Sequence, residues 1–262
     1  MFDVQTIQSG DMLVRVSGAG APLILLHGYT TTAEFWREQV DAFSAGYRVI
    51  RPNLPGHGIS PSPKQRAYTI DAFVADLEHM FEQFELRDAV LVGLSMGGVI
   101  AQQFALKHPA RLRALAVVDT TSHGFGPDVQ VDNVFSAIDR LGVVAASQQV
   151  ARRSFSPSTP AALIHWAEQE VAQTPEFVAR EAVASLGTID NHTALAQLDV
   201  PTLVMVGGED RITPLVESRK LNALIRGSQL EIIEHAAHFP MLEQPEAFNH
   251  ALKRFLDSLS QH

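Results

Sequence analysis

The sequence predicts an α/β fold, a doubly wound parallel sheet covered by helices on both faces. Three observations carry that reading. Short uninterrupted apolar runs recur along the chain, which marks strands buried on both sides. Longer stretches place apolar residues at the 3.6-residue period of a helix. The two patterns alternate, as crossover connections between parallel strands require.

Taken in order, residues 11–17 alternate apolar and polar side chains and read as an early antiparallel strand. Continuous apolar runs follow at 23–26, at 48–50 with its flanks, and at 89–92, 115–118, 202–206 and 230–233. Residues 69–84 set Ile70, Phe73, Val74, Leu77, Phe81 and Phe84 on one helical face. The stretches 96–107 and 246–259 behave similarly. One interval breaks the rhythm, because more than eighty residues separate Asp119 from Thr202. It carries four helical patterns, at 129–141, 143–155, 160–172 and 175–186, and no parallel strand. We read 124–190 as a helical cap inserted between two parts of one core, 1–123 and 191–262.

Composition narrows the function classes. A chain of 262 residues has a folded surface of roughly 11,000 Å² and can bury a large core without staples. It contains no cysteine, which excludes disulfide scaffolds, iron–sulfur clusters, thiolate zinc sites and thiol nucleophiles. A formal charge of −9 without a basic run excludes phosphate-backbone binding. Residues 1–16 lack the apolar centre of a secretory signal, and no apolar run is long enough to span a bilayer. The expectation is a cytoplasmic protein with no nucleic-acid or membrane partner, and with a homodimer left open.

The sharpest local signal is Val90-Leu91-Val92-Gly93-Leu94-Ser95-Met96-Gly97-Gly98, where an apolar strand runs through Gly-x-Ser-x-Gly into a helical pattern. Such a turn strains the serine backbone and projects its hydroxyl away from the sheet. Side chains two positions to either side would collide as strand and helix close, hence Gly93 and Gly97. The helix beginning at Met96 aims free N–H groups at the same point. A dinucleotide fingerprint would need glycine where Ser95 stands, and a P-loop would need Lys-Ser/Thr where Val99-Ile100 stand.

A serine hydroxyl needs a base, and the base needs an orienting acid. His235 and His238 both follow the strand at 230–233, and His238 lies farther along the loop before the last helix. That position suits a base better. Asp210 sits in the glycine-rich end of the preceding strand, with Asp119 as the reserve acid. His27-Gly28-Tyr29 ends an early strand, so the Tyr29 and Met96 N–H groups are candidate donors to an oxyanion. His27 itself reads as a buried structural residue. No HExxH or acidic cluster completes a metal site, and no metal or cofactor is expected.

Five motifs in order, His27-Gly28, Asn53-x-x-Gly56-His57-Gly58-x-Ser60, Gly93-x-Ser95-x-Gly97-Gly98, Gly207-x-x-Asp210-x-x-x-Pro214 and His238-x-x-x-x-Glu243-x-Pro245, resemble the α/β-hydrolase superfamily over nearly the whole chain. The resemblance implies a mostly parallel eight-stranded sheet with the cap inserted after the sixth strand. It implies Ser95 as nucleophile, His238 as base, Asp210 as acid, and Tyr29 and Met96 N–H as the oxyanion hole. Within that family the chain is similar to 3-oxoadipate enol-lactonases and small carboxylesterases. The substrate then expected is a small ester or lactone, with carbon–carbon bond hydrolysis of a vinylogous diketone as the alternative and a ligand receptor as a third reading. Asn53 and Ala237 depart from the family's usual Asp and Gly, which bears on loop detail. Ser95 argues against the aspartate-nucleophile branches.

The cap carries Phe125, Phe135, Phe155, Trp166 and Phe177. Phe125, Phe155 and Trp166 are the candidates to wall a substrate pocket; the competing role is packing the cap onto the sheet. Arg152 and Arg153 either pair with a substrate carboxylate or sit in solvent.

Overall fold

The computed structural model describes residues 2–125 and 131–259. Its sheet has eight strands: β1 (Val4–Ser9), β2 (Met12–Ser17), β3 (Ala21–Leu26), β4 (Tyr47–Asn53), β5 (Ala89–Leu94), β6 (Leu112–Val118), β7 (Thr202–Gly207) and β8 (Gln229–Ile233). They lie in the order β1-β2-β4-β3-β5-β6-β7-β8, with β1–β2 and β2–β4 antiparallel and every other pair parallel. Seven strands coincide with the runs read from sequence. The eighth, β1, is an edge strand that is mostly exposed, so its residues VQTIQS carry no apolar run.

Before the insertion come the helices α1 (Arg37–Phe43), α2 (Ile70–Gln83) and α3 (Met96–Lys107). Within the interval between β6 and β7 lie α4 (Val131–Leu141), α5 (Val143–Arg153), α6 (Ala161–Val171) and α7 (Glu176–Leu186). The start of the helix expected at 129–141 lies outside the described residues. After α7 come α8 (His192–Leu195), α9 (Leu215–Leu224), α10 (Pro240–Glu243) and α11 (Pro245–Ser258). The Thr69 hydroxyl caps α2 by accepting from Ala72 N at 3.2 Å. Pro240 and Pro245 open α10 and α11, where the missing N–H costs nothing.

Alternate residues of each central strand enter different cores. Ile24 and Leu26 of β3 pack with Phe73, Leu77 and Phe104 of α2 and α3, whereas Leu23 and Leu25 join the layer of Phe43 and Phe248. Burial on both faces is why these strands read as unbroken apolar runs. The two ends of the insertion are stitched together as they leave the sheet, by Gly124 N–H on Ile189 O at 3.0 Å and Asn191 N–H on Ser122 O at 2.8 Å. Among the described residues no helix is long and apolar enough to cross a membrane.

The topology sets the site. β3, β5, β6, β7 and β8 run the same way, so the residues after their last positions gather at one edge of the sheet, where open α/β sheets hold ligands. Those residues are His27, Ser95, Asp119, Asp210 and His238.

Candidate active site

Ser95 links β5 to α3 with φ 52° and ψ −117°, a left-handed conformation rare for a residue with a side chain. The surrounding glycines make the turn possible. A Cβ on Gly93 would lie 2.3 Å from Gly97 O, and one on Gly97 would lie 2.3 Å from His27 O. The Ser95 backbone is pinned by its N–H on Val118 O at 2.9 Å and by the Thr120 hydroxyl on its carbonyl at 2.8 Å.

Behind the serine stands an acid–base pair. His238 Nδ1 donates to Asp210 Oδ2 at 2.9 Å, and both side chains are buried. Asp210 receives three further bonds: Thr213 Oγ1–H on Oδ2 at 2.7 Å, Thr213 N–H on Oδ2 at 3.3 Å, and Ile212 N–H on Oδ1 at 2.7 Å. Burial alone would raise the Asp210 carboxyl. The charge of His238 and the bonds from His238 and Thr213 outweigh it and hold the group below the ordinary carboxylate range. The competing histidine, His235, is exposed at the turn leaving β8.

Ser95 and His238 open on one cavity of about 290 Å³, whose wall also includes Gly28 and Tyr29. No hydrogen bond joins Ser95 to His238 among the described residues; such contacts commonly tighten when substrate fills a site. A Cβ on Gly28 would lie 3.2 Å from Ser95 Cβ, so the loop after β3 passes directly against the serine. Met96 N–H is the first amide of α3 and has no partner within the helix. Tyr29 N–H likewise finds no acceptor among the described residues.

The loops are held by buried polar contacts. His27 donates through Nδ1 to Gly28 O at 2.9 Å and accepts Leu54 N–H on Nε2 at 3.0 Å. Burial and the neighbouring His57 lower it to about 3, so it is a neutral strut. Asn53 accepts Ala33 N–H at 3.0 Å and donates to Leu13 O at 3.3 Å, using both ends of the amide where a carboxylate could only accept.

Of the aromatic residues expected on the pocket wall, Phe125 lines the cavity. Phe155 and Trp166 do not. Phe155 is buried with its ring 5.0 Å from Phe239. Trp166 lies 5.2 Å from Phe35, with the Arg37 guanidinium 4.0 Å over its ring. Both fasten cap to core, and the cavity wall is instead built from aliphatic cap residues such as Val134, Val150, Val183 and Leu186. Arg152 is paired with Glu168 at 2.6 Å, while Arg153 lines the cavity and makes no ion pair among the described residues.

A model of the alpha/beta hydrolase family matches residues 23–251. The chain belongs to this family. It is 30% identical over 260 residues to the non-heme chloroperoxidase CPO-A1 of Kitasatospora aureofaciens, covering 92% of this chain and 94% of that one. It is 28% identical over 240 residues to 3-oxoadipate enol-lactonase 2 of Acinetobacter baylyi, covering 89% of each. Among solved structures, a thermophilic esterase from Thermogutta terrifontis matches with a TM-score of 0.88 at 28% identity, over 98% of this chain and 99% of that one.

Two residues of this alpha/beta hydrolase site escaped sequence reasoning. Thr213 bonds the acid and stands 3.4 Å from His238 Nδ1, yet a threonine in a loop carries no signal of its own. Glu243 was visible only as part of a motif. Its Oε1 accepts Ala237 N–H at 2.9 Å and Phe239 N–H at 3.2 Å, the amides either side of His238. Its Oε2 accepts Ser156 N–H and Thr159 Oγ1–H, each at 2.8 Å, from the cap. One group of three metal-type donors comes together among the described residues, Asp119, Asp210 and His238, within 4.8 Å of one another. Its central contact is the Asp210–His238 hydrogen bond, which already occupies Nδ1.

Proposed function

We propose that this protein hydrolyses a small carboxylic ester or lactone through an acyl-enzyme on Ser95. The observation that carries the reading is the buried His238–Asp210 bond facing the same cavity as a serine held in a strained strand-to-helix turn. Ser95 Oγ attacks the carbonyl carbon as His238 Nε2 takes its proton, and Asp210 holds the imidazole with Nδ1 protonated. The tetrahedral oxyanion receives N–H bonds from Met96 and Tyr29, made where charge develops rather than in the ground state. His238 returns the proton to the leaving oxygen. Water then attacks the acyl group by the same route and frees the acid.

The cavity volume lies at the low end for ligand sites and its wall is mostly apolar, which favours small apolar acyl groups. Phe125 is the aromatic contact we assign to substrate. Similarity to an esterase and to an enol-lactonase supports the reaction class. No step calls for a cofactor.

The test is turnover of a panel of p-nitrophenyl esters, lactones and a vinylogous diketone by the wild type and two variants. Ser95→Ala is expected to lower kcat about 10⁶-fold and Asp210→Asn about 10⁴-fold. A fluorophosphonate should label Ser95 in the wild type alone. Undiminished turnover by Ser95→Ala would defeat the assignment, and preference for the diketone would move it to carbon–carbon hydrolysis. Labelling without turnover on any substrate would point to a receptor.

A further inference from the structure

Asp119 follows β6 and is fully buried beside the acid of the site. Its backbone has φ 42°, a strained conformation for a residue with a side chain, and its N–H is fixed on Met205 O at 3.0 Å. One carboxyl oxygen, Oδ1, accepts Gly207 N–H at 2.9 Å. The other, Oδ2, is buried and has no donor among the described residues. What faces Asp119 is the Asp210 carboxyl: an oxygen of each and a ring nitrogen of His238 all lie within 4.8 Å of one another.

Two carboxyls in contact inside a protein cannot both carry charge. The donors decide which one does. Asp210 collects bonds from His238 Nδ1, Thr213 Oγ1, Thr213 N and Ile212 N. Asp119 collects one among the described residues, from Gly207 N. We propose that Asp119 is a neutral carboxylic acid whose O–H donates to Asp210, and that it is a positioning residue which fixes the Asp210 carboxylate beneath His238. The proposal supplies the missing partner of Oδ2 as a donor rather than an acceptor. It also leaves a single negative charge under the imidazole instead of two.

Its surroundings agree. Burial, then the charge of Asp210, raise the Asp119 carboxyl well above the ordinary range, and the Gly207 bond only partly opposes them. The ionisable groups that bear on it are Asp210 and His238 in the cluster and Glu243 farther off. The proton stays on Asp119 throughout the reaction; no step consumes it.

The inference rests on the proposed Ser95–His238–Asp210 chemistry only for its kinetic readout, so the experiment begins with one that needs no activity. Infrared difference spectra of wild type against Asp119→Asn, near pH 7, should show the C=O stretch of a protonated carboxyl in the wild type alone. Asn keeps an acceptor for Gly207 and a donor for Asp210. Asp119→Asn should therefore keep kcat within about 3-fold and the acid limb of kcat/KM in place, whereas Asp119→Ala should lose about 10-fold in kcat at constant KM. A missing carboxyl band, with the acid limb of Asp119→Asn moved about one pH unit lower, would overturn the proposal by showing that Asp119 was charged. Full kcat in Asp119→Ala would overturn the positioning role. So would activity lost to a chelator and restored by a divalent ion, since Asp119 would then be a metal ligand. If Asp119→Ala does not fold, the Asn variant decides both points.

Discussion

Glu243 joins the base loop to the cap, and removing it should cost more than its half-exposed position suggests. Four donors converge on its carboxylate: three main-chain N–H groups, of Ala237, Phe239 and Ser156, and the Thr159 hydroxyl. Hydrogen bonds to a charged group contribute about 1.5–3 kcal/mol each when buried. Here water reaches part of the site, so about 1 kcal/mol apiece is the fitting value, and the hydroxyl can turn to solvent. Glu243→Ala should therefore lose about 3 kcal/mol, a large share of the roughly 5–15 kcal/mol that domains possess. Glu243→Gln keeps one oxygen, which can serve one pair of donors while its amide group opposes the other. About half the loss is expected. Urea midpoints with an unchanged slope read the stability, and kcat reads the loop, because an imidazole displaced by about 1 Å can cost about 10²-fold. A Glu243→Ala protein within about 1 kcal/mol and 2-fold of wild type would refute the argument.

Other perturbations give separable outcomes. His27 and His57 are buried neutral and lowered to about 3 and about 4, so from pH 6.5 downward the unfolded chain binds protons that the folded protein does not. Stability contributed by each is present above pH 6.5 and lost as pH falls, at about 1.4 kcal/mol per unit. Because Asp119 titrates with the opposite sign, the test is a difference: between pH 7 and pH 5, His57→Gln should lose about 2 kcal/mol less than wild type in urea unfolding. An equal loss would show that His57 is not buried neutral. Gly97→Ala drives a Cβ into His27 O and Leu26 O, both main-chain atoms, and should lower stability by about 1–3 kcal/mol together with kcat. Unchanged melting and turnover would show that the elbow can relax. Arg153→Ala should raise KM about 2- to 5-fold for an ester whose acyl chain ends in a carboxylate, and leave its neutral homologue alone. Equal KM changes on both substrates would assign Arg153 to packing.

The parts of the site legible in sequence are those where backbone geometry dictates residue type. Ser95 could be found because the tight turn demands Gly93 and Gly97, and the apolar strand before it and the helical pattern after it fixed its place at a strand end. Asp210 ranks ahead of Asp119 by its glycine-rich strand end, but the sequence does not show that the two side chains meet. Both end strands, and only the pairing of Val118 with Met205 brings the two side chains together. β1 was missed because an exposed edge strand has no core to encode. Phe155 and Trp166 were misplaced for a related reason. Amphipathic helices show that a face is covered, but an apolar face against the core and one against a cavity have the same periodicity.

The cap and the base loop are not independent parts. His238 N–H bonds Ser154 O of the cap at 2.9 Å, and Ser156 Oγ–H bonds Glu209, next to the acid, at 2.7 Å. Glu243 binds both sides at once. The segment 154–159 thus bears on the imidazole directly, and through Ser154 on the cavity wall. Selectivity in this protein therefore cannot be tuned freely at that segment: substitutions there should change kcat even for substrates they never touch. The aliphatic wall at Val134, Val150 and Val183 makes none of these bonds, and changes there should act on KM and acyl preference with kcat for the smallest ester preserved. In the proposed reading, Ser154 and Thr213 each line the cavity and also bond the His238–Asp210 pair, so chemistry and substrate choice meet at these residues.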